Sequence, residues 1–252
     1  MSSGCLIFIS GWATDASCWE PVIGAIDCHI SHYHVDWWKC LNNAAEKNAL
    51  YQLLRKEKAG AIIVGWSLGA LMALEGAAFR PEGVKALVLV SGTSRMTSAG
   101  SYPGVNLREL SAMRARLRRS PRAVIEAFGR LCIGDQQEFS IETDEFLEKF
   151  VDRAERLDVA SLAAGLRYLK ERDLRPILPK IQVPVHLLHG DCDRIIPVEC
   201  ARYMEKVIPE ARLDIVRGGP HALLFTAYGR VAGLITGSIR GLMDADADCR
   251  TQ

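Results

Sequence analysis

Short apolar runs alternate with amphipathic stretches in the first ninety residues, and this alternation predicts a parallel sheet. The apolar runs at 5–9, 61–64 and 84–90 are each bounded by glycine or polar residues, as expected for buried strands. Apolar residues with helical spacing lie between them, over 17–26 and 44–58. A strand, helix, strand order is typical of a mostly parallel central sheet with helices on both faces, so the expected fold class is α/β.

This alternation stops after residue 94 and resumes near residue 181. Strand-like runs return only at 183–189 and 211–216, and a final helix is expected from about Leu223. The intervening pattern predicts helices over 106–119, 121–132, 144–156 and 159–171. No flexible linker brackets this segment. We therefore expect one core formed by residues 1–94 and 181–252, with residues 95–180 inserted as a helical cap over one edge of the sheet.

Composition and charge limit which binding partners and which cellular location we expect for the protein. The 252 residues carry 31 basic and 30 acidic side chains, so the overall charge favours neither nucleic acid nor an anionic membrane as partner. The N-terminal residues lack a basic segment, and no segment is apolar over a membrane-spanning length. Eight cysteines without C-x-x-C spacing are typical of reduced thiols. We expect a cytoplasmic monomer.

Three histidines, His29, His32 and His34, lie close together in an alternating run. His32 and His34 would share one face of a strand, but no carboxylate or cysteine stands at a suitable offset for a metal site. We interpret these histidines as surface or edge-strand residues and expect no metal.

The stretch Gly65-Trp-Ser-Leu-Gly69 joins an apolar strand to a helix rich in alanine and leucine, with one serine at the corner. A serine hydroxyl is a weak nucleophile at neutral pH, and a sharp strand-to-helix turn presents it to a base. The backbone N–H of Leu68 lies at the positive end of the helix dipole, where it can stabilise an oxyanion. Ser67 is thus the predicted nucleophile, and a structural glycine-rich turn is the alternative.

Other loops that follow predicted strands supply candidate partners for this serine. The backbone N–H of Trp12, in the loop after the first strand, is the candidate for a second oxyanion donor. His221 follows the run 211–216, where a histidine can act as the base. The order serine, acid, histidine is the one that a hydrolase built on such a sheet uses.

Two aspartates compete for the place of the acid. Asp191 stands directly at a strand exit and can serve the turn itself, whereas Asp193 lies two residues further along the same loop. We prefer Asp193, and Asp191 stays open. His186 and His189 lie in the preceding strand and are interpreted as core or supporting residues.

Four stretches together resemble the α/β-hydrolase superfamily: Ser10-Gly-Trp12, Gly65-Trp-Ser-Leu-Gly69, His189-Gly-Asp-Cys-Asp-Arg-Ile-Ile-Pro197 and Gly218-Gly-Pro-His-Ala222. Within it, nearly the whole chain is most similar to the BioH-type pimeloyl-[acyl-carrier protein] methyl ester esterases of biotin synthesis. The resemblance implies an α/β-hydrolase fold, an esterase that uses Ser67, Asp193 and His221, and no metal or organic cofactor. Ser10 departs from it, because many superfamily members have histidine there.

The resemblance also implies an acyl-carrier protein that carries the ester substrate as partner. Residues 106–130 contain seven arginines and only two glutamates. In that family, arginines of the cap bind the acidic carrier protein. The resemblance therefore implies carrier docking on this region, with the candidates Arg108, Arg114, Arg118 and Arg122. A solvated charged face would produce the same pattern.

Three alternative functions stay open at this point. A general short-chain carboxylesterase or thioesterase would cleave small esters and leave the carrier-linked ester intact. A lyase like those of menaquinone synthesis would show elimination without ester turnover. A ligand-binding module on a hydrolase scaffold would bind tightly with negligible turnover, against which an intact triad argues.

Overall fold

A computed structural model describes residues 4–42, 48–57, 60–79, 81–134 and 143–248. Its strands are β1 (Cys5–Ile9), β2 (His32–Val35), β3 (Ala61–Trp66), β4 (Val84–Val90), β5 (Val185–Gly190) and β6 (Ala211–Val216). Its helices are α1 (Glu20–Gly24), α2 (Trp37–Asn42), α3 (Asn48–Lys56), α4 (Leu68–Phe79), α5 (Leu107–Leu117), α6 (Pro121–Ile133), α7 (Thr143–Glu155), α8 (Val159–Glu171), α9 (Val198–Val207), α10 (Leu223–Thr226) and α11 (Tyr228–Asp248).

The six strands form one sheet in the order β2-β1-β3-β4-β5-β6, and every neighbouring pair is parallel. The predicted α/β fold with a parallel central sheet is confirmed. Register pairs Ile9 with Gly65, and Gly190 with Val216, so the strands end together at one edge. The loops that follow β1, β3, β4, β5 and β6 therefore meet at this carboxyl edge.

Alternate residues of each central strand pack into separate apolar cores on the two faces of the sheet. Ile62 and Val64 of β3 pack in a core with α1 and α11, whereas Ile63 packs in a core with α3, α4 and α9. Because helices cover both faces, β3 is buried at every position and reads as a continuous apolar run.

Most predicted elements coincide with observed ones, and the exceptions lie near the N-terminal edge. The amphipathic run 17–26 folds as a 3₁₀ turn over Ala16–Trp19 followed by α1. The helix expected over 44–58 is observed as α3, and residues 43–47 and 58 lie outside the described residues.

The helices α5 to α8 lie between β4 and β5, in the segment that the sequence assigns to a cap; we call residues 95–180 the helical insertion. The described residues of the insertion form no named strand. The two ends of the insertion are tied together, since the Leu174 N–H donates to the Ser94 carbonyl and Arg95 pairs with Asp173 at 2.6 Å. Among the described residues, no helix is both long and apolar enough to cross a membrane.

Candidate active site

Ser67 occupies a sharp corner between β3 and α4. Its φ is +56°, a left-handed conformation that is uncommon for a residue with a side chain. The flanking glycines permit close packing, because a Cβ on Gly65 would lie 2.5 Å from the Gly69 carbonyl oxygen, and one on Gly69 would lie 2.1 Å from the Ile9 carbonyl oxygen. The corner therefore needs glycine at both places, and it directs the serine side chain toward the carboxyl edge of the sheet.

His221 lies between Ser67 and Asp193. Its Nε2 is 2.9 Å from Ser67 Oγ, and its Nδ1 is 2.7 Å from Asp193 Oδ2. Because an ionised carboxylate only accepts hydrogen bonds, Nδ1 carries the hydrogen and Nε2 of the neutral ring is left to accept from the serine hydroxyl. His221 and the Asp193 side chain have no exposed surface, and Ser67 is 5% exposed. The three side chains thus form one buried hydrogen-bonded relay.

The Asp193 carboxylate is held by four donors. Its Oδ1 accepts from the backbone N–H groups of Ile195 and Ile196, each at 2.8 Å, and its Oδ2 faces both His221 and His189. Burial raises the pKa of the Asp193 carboxyl, but electrostatic attraction to the His221 imidazolium, when it forms, and hydrogen bonds from both histidines outweigh burial and hold the pKa well below its usual range. The carboxylate stays ionised and can orient the imidazole.

His189 is a second buried histidine beside the acid. Its Nε2 is 2.9 Å from the Ile196 carbonyl oxygen and 3.3 Å from Asp193 Oδ2. Both neighbours are acceptors, so this nitrogen carries a hydrogen. His189 therefore supports the acid and does not face Ser67, in keeping with its interpretation as a supporting residue.

Asp191 occupies a different position from Asp193. Its carboxylate accepts from the Gly218 N–H at 2.6 Å, in the turn that leads to His221. The structure thus brings Asp193, and not Asp191, to the histidine ring. Asp191 instead joins the loop after β5 to the loop after β6.

The two candidate oxyanion donors lie on the loops after adjacent strands. Ile9 of β1 pairs with Gly65 of β3, and Trp12 and Leu68 each follow their paired residue by three positions. Within the part of the chain that the structure describes, neither backbone N–H donates a hydrogen bond. Leu68 is also the first residue of α4, where the helix dipole favours negative charge. Both N–H groups therefore remain candidates for donors to an oxygen bound beside Ser67.

The loop after β1 is held by its own hydrogen bonds. Ser10 Oγ donates to the Thr14 carbonyl at 3.1 Å, and Thr14 Oγ1 donates to the Gly11 carbonyl at 2.9 Å. Ser10 is the position where many α/β hydrolases have histidine, and its hydroxyl supplies a closing contact of this turn. The turn that carries the Trp12 N–H therefore remains compact despite that departure.

The Trp12 side chain connects this loop to the helical insertion. Its indole N–H donates to the Leu162 carbonyl of α8 at 2.8 Å. A Cβ on Gly165 would lie 2.6 Å from Trp12 Cδ1 and 2.7 Å from Trp37 Cζ3. Only glycine at this position allows α8 to approach the loop so closely. Leu162 and Gly165 could not be singled out from the sequence, because they lie about 150 residues from Trp12 and carry no local signal.

Helix α6 contacts the loop that carries the histidine. The Ala222 N–H donates to the Cys132 carbonyl at 2.9 Å, which satisfies one carbonyl in the last turn of α6. The Phe128 ring packs edge-on against Trp12, with centroids 4.9 Å apart, and 6.5 Å from His221. Phe128 thus lies between the candidate oxyanion loop and the candidate base, and only its place inside the predicted insertion pointed to it.

The predicted docking arginines differ in their surroundings. Arg122 pairs with Glu126 at 3.1 Å and with Glu155 at 2.8 Å. Arg108 and Arg118 are exposed and Arg114 is half-buried, and none of them has an ion pair with a described residue. Of the four candidates, the three on α5 and at its C-terminal end are therefore without an ion pair to a described residue, whereas Arg122 has two.

Two of the grouped histidines, His32 and His34, lie away from this site on the edge strand β2, and His29 precedes that strand. His32 and His34 are exposed, and their rings lie 5.6 Å apart in an edge-on arrangement. Partial covering of the ring by its neighbours and the charge of His32 lower the pKa of His34. No group of three or more metal-ligating side chains is found among the described residues.

Comparisons with known proteins agree with the fold. The family model described as the alpha/beta hydrolase family matches residues 6–234. A pimeloyl-[acyl-carrier protein] methyl ester esterase of Vibrio vulnificus is 29% identical over 227 residues, covering 88% of each chain. The protein of the same name from Pseudoalteromonas atlantica is 27% identical over 228 residues, covering 86% of this chain and 85% of that one.

Solved structures also share this fold. An esterase from Exiguobacterium antarcticum superposes with a TM-score of 0.79 at 17% identity, covering 95% of this chain and 93% of its own. At this identity the likeness shows the arrangement of strands and helices alone.

Proposed function

Because the chain belongs to the alpha/beta hydrolase family, we propose that it is a serine esterase that hydrolyses the methyl ester of a pimeloyl-acyl-carrier protein in biotin synthesis. It is a carboxylic ester hydrolase. The observation that carries the proposal is the buried relay from Ser67 through His221 to Asp193, with contacts of 2.9 and 2.7 Å. The names of the two relatives supply the substrate.

The relay supports a two-step reaction through an acyl-enzyme. His221 Nε2 takes the Ser67 proton as the hydroxyl attacks the ester carbonyl, and the Trp12 and Leu68 N–H groups donate to the resulting oxyanion. The imidazolium, stabilised by Asp193, then protonates the leaving methoxide. A water that gives its proton to the same histidine attacks the acyl-enzyme, and the histidine returns a proton to Ser67 Oγ as the bond to the serine breaks and the carboxylic acid is released.

The helical insertion serves as the cap in this proposal. Phe128 of α6 and the Leu162 region of α8 contact the two loops that flank Ser67, so an acyl chain would reach the serine between the insertion and the carboxyl edge. The division into core (1–94 and 181–252) and cap (95–180) is proposed on this basis. A location in the cytoplasm is part of the same proposal.

The decisive experiment measures hydrolysis of the carrier-linked methyl ester by mass spectrometry, beside a small aryl ester. We expect the chain to act on both and Ser67→Ala to act on neither. Hydrolysis of the aryl ester alone would leave a general esterase or thioesterase and overturn the proposed substrate. Tight ligand binding with no turnover of either ester would overturn the esterase itself.

Docking of the carrier is tested by charge reversal on α5. An acidic carrier protein held by exposed arginines gains attraction that salt screens. We expect Arg114→Glu with Arg118→Glu to raise the KM for the carrier-linked ester about tenfold or more, and to leave the aryl ester unaffected.

The control for this variant is Arg202→Glu with Lys206→Glu, a pair with the same four-residue spacing on α9, which packs against β5 and β6. Equal effects of the two pairs, or a KM that does not respond to salt, would contradict docking on α5. Arg122 is left unchanged because it is already paired with two glutamates.

A further inference from the structure

The backbone carbonyl of His221 accepts two hydrogen bonds from side chains that the relay does not use. The Trp66 indole Nε1 donates to this oxygen at 3.1 Å, and Ser91 Oγ donates to it at 2.9 Å. A carbonyl oxygen has two lone pairs, so both are occupied. Trp66 is 1% exposed and Ser91 is fully buried, so water does not compete for these contacts.

Ser91 reaches the carbonyl from an uncommon backbone conformation. It directly follows β4, and its φ of +46° lies in the left-handed region that disfavours residues with a side chain. Its N–H donates to the Leu188 carbonyl at 2.8 Å, which extends the pairing of β4 with β5. Such conformations persist where the surroundings determine them, and they concentrate at functional sites.

Trp66 connects the histidine to the loop after β1. Its ring centroid lies 5.7 Å from that of His221, and a Cβ on Gly11 would lie 2.8 Å from Trp66 Cε3. The indole therefore packs between the turn that precedes Trp12 and the loop of His221. Because Trp66 immediately precedes Ser67, a shift of the indole is transmitted to the nucleophile as well.

The loop before His221 has little regular structure of its own. Gly218 has a φ of +67°, and Pro220 offers no backbone N–H to donate. Asp191 accepts from the Gly218 N–H, and Gly219 is held by backbone bonds to Val216 and Cys192, whereas the His221 carbonyl is held by side chains. The Ala222 N–H, on the other side of the same peptide unit, is held by Cys132. The peptide between His221 and Ala222 is thus fixed at both its oxygen and its nitrogen.

We infer that Ser91 and Trp66 are positioning residues, which hold the His221 carbonyl so that the imidazole reaches Ser67 and Asp193 at the same time. This inference rests on the proposed function, because it assigns both residues to the reaction of the same relay. A purely structural role predicts another outcome, in which loss of a donor lowers thermal stability and leaves the kinetics of the folded enzyme unchanged.

Ser91→Gly separates these two roles. Glycine removes the hydroxyl but accepts the left-handed conformation without strain, so the melting temperature is expected to stay equal or rise. We expect kcat for a small aryl ester to fall about tenfold, the rate equivalent of one lost hydrogen bond, with KM within about twofold. Labelling of Ser67 by a fluorophosphonate, which also depends on His221 as base, slows in proportion.

The matched control compares Ser91→Ala with Ser238→Ala. Ser238 Oγ also donates to a backbone carbonyl at 2.9 Å, that of Leu234 in α11, and Ser238 is likewise buried. Each change deletes one buried hydroxyl and its hydrogen bond. We expect only Ser91→Ala to lower kcat and the labelling rate of Ser67.

Trp66→Phe tests the second donor, since it keeps an aromatic ring and removes the N–H. Both donors serve one oxygen atom, so the losses in kcat for Ser91→Gly and Trp66→Phe are expected to be non-additive when combined. If the phenylalanine variant does not fold, Ser91→Gly with its control decides alone.

The outcomes distinguish this inference from the proposed function. An unchanged chain that hydrolyses neither ester overturns the esterase and the positioning roles with it. An active chain whose Ser91→Gly variant keeps its kcat and its labelling rate overturns the positioning roles alone, as does an equal loss of kcat in Ser91→Ala and Ser238→Ala.

Discussion

The candidate site residues at the carboxyl edge of the sheet and those on the helical insertion differ in burial and in how firmly they are held. At the edge, Ser67, Asp193 and His221 are buried, and each is oriented by hydrogen bonds from neighbouring strands and loops. On the insertion, Arg108 and Arg118 are exposed and are fixed by no ion pair with a described residue. In the proposed function, chemistry that needs precise placement lies where packing determines position, and recognition of the carrier protein is assigned to the surface.

The two regions nevertheless share contacts at the reacting centre. Carbonyl groups of Leu162 and Cys132, on α8 and α6, accept from Trp12 and Ala222 on the two loops that flank Ser67. The insertion thus contributes to the geometry of the loops it covers. The changes described below separate the contribution of each region, from the largest expected effect to the smallest.

Removal of the buried Asp193 charge at the carboxyl edge is expected to have the largest effect on kcat. Asp193→Asn replaces an acceptor facing His221 Nδ1 by an amide that favours the wrong tautomer of the ring, and we expect kcat to fall about 10³- to 10⁴-fold. Asp191→Asn is the matched change two residues away, and it keeps an oxygen that can accept from Gly218. We expect kcat of the Asp191→Asn variant to fall less than about threefold. If both variants lost the same factor in kcat for an aryl ester, the assignment of Asp193 as the acid would be contradicted.

Addition of one methyl group to the insertion is expected to have an intermediate effect. In Gly165→Ala the new Cβ meets Trp12 and Trp37, so α8 or the Trp12 loop must shift. We expect kcat to fall about 10- to 100-fold with little change in KM, because a displaced oxyanion donor acts mainly on the transition state.

Gly233→Ala is the control for this change. Gly233 lies inside α11, and no neighbouring atom lies within 4 Å of the position that a new Cβ would take. The same substitution is therefore expected to keep kcat and to stabilise the fold by about 1 kcal/mol. Unchanged kcat in Gly165→Ala would show that the insertion does not position the loop after β1.

Removal of the Asp173 carboxylate, where the two ends of the insertion meet, is expected to have the smallest effect. It should change the stability of the fold and leave catalysis unchanged. Hydrogen bonds from Arg175, opposed by partial burial and reinforced by Arg95, hold the pKa of the Asp173 carboxyl well below its usual range. A carboxyl with a lower pKa in the folded state stabilises the fold above its unfolded pKa of about 4, and this stabilisation is lost as the pH falls toward the folded value.

Asp173→Asn is therefore expected to lower the free energy of unfolding by about 1 kcal/mol at pH 6. The difference from the unchanged chain should shrink as the pH falls from 6 to 3, in urea titrations at each pH. The kcat at pH 7 should stay within about twofold. A difference that grows in acid would contradict the sign of this linkage.

Several features of the site were accessible from local patterns. Ser67 stands at a strand-to-helix corner, and His221 and the two aspartates follow apolar runs, so parallel-strand geometry alone gathers them at one edge. The choice between Asp191 and Asp193 could not come from spacing. It depends on which carboxylate meets the N–H groups of Ile195 and Ile196 and the ring of His221.

By itself the sequence determined the elements and the edge at which their polar residues collect, because apolar periodicity, glycine and strand order act over short distances along the chain. Only the tertiary structure decided which side chains support the relay. Ser91 and Trp66 hold an oxygen 130 and 155 residues away, and Gly165 allows α8 to reach Trp12. Such contacts depend on how the loops and helices pack together, and no local pattern encodes them.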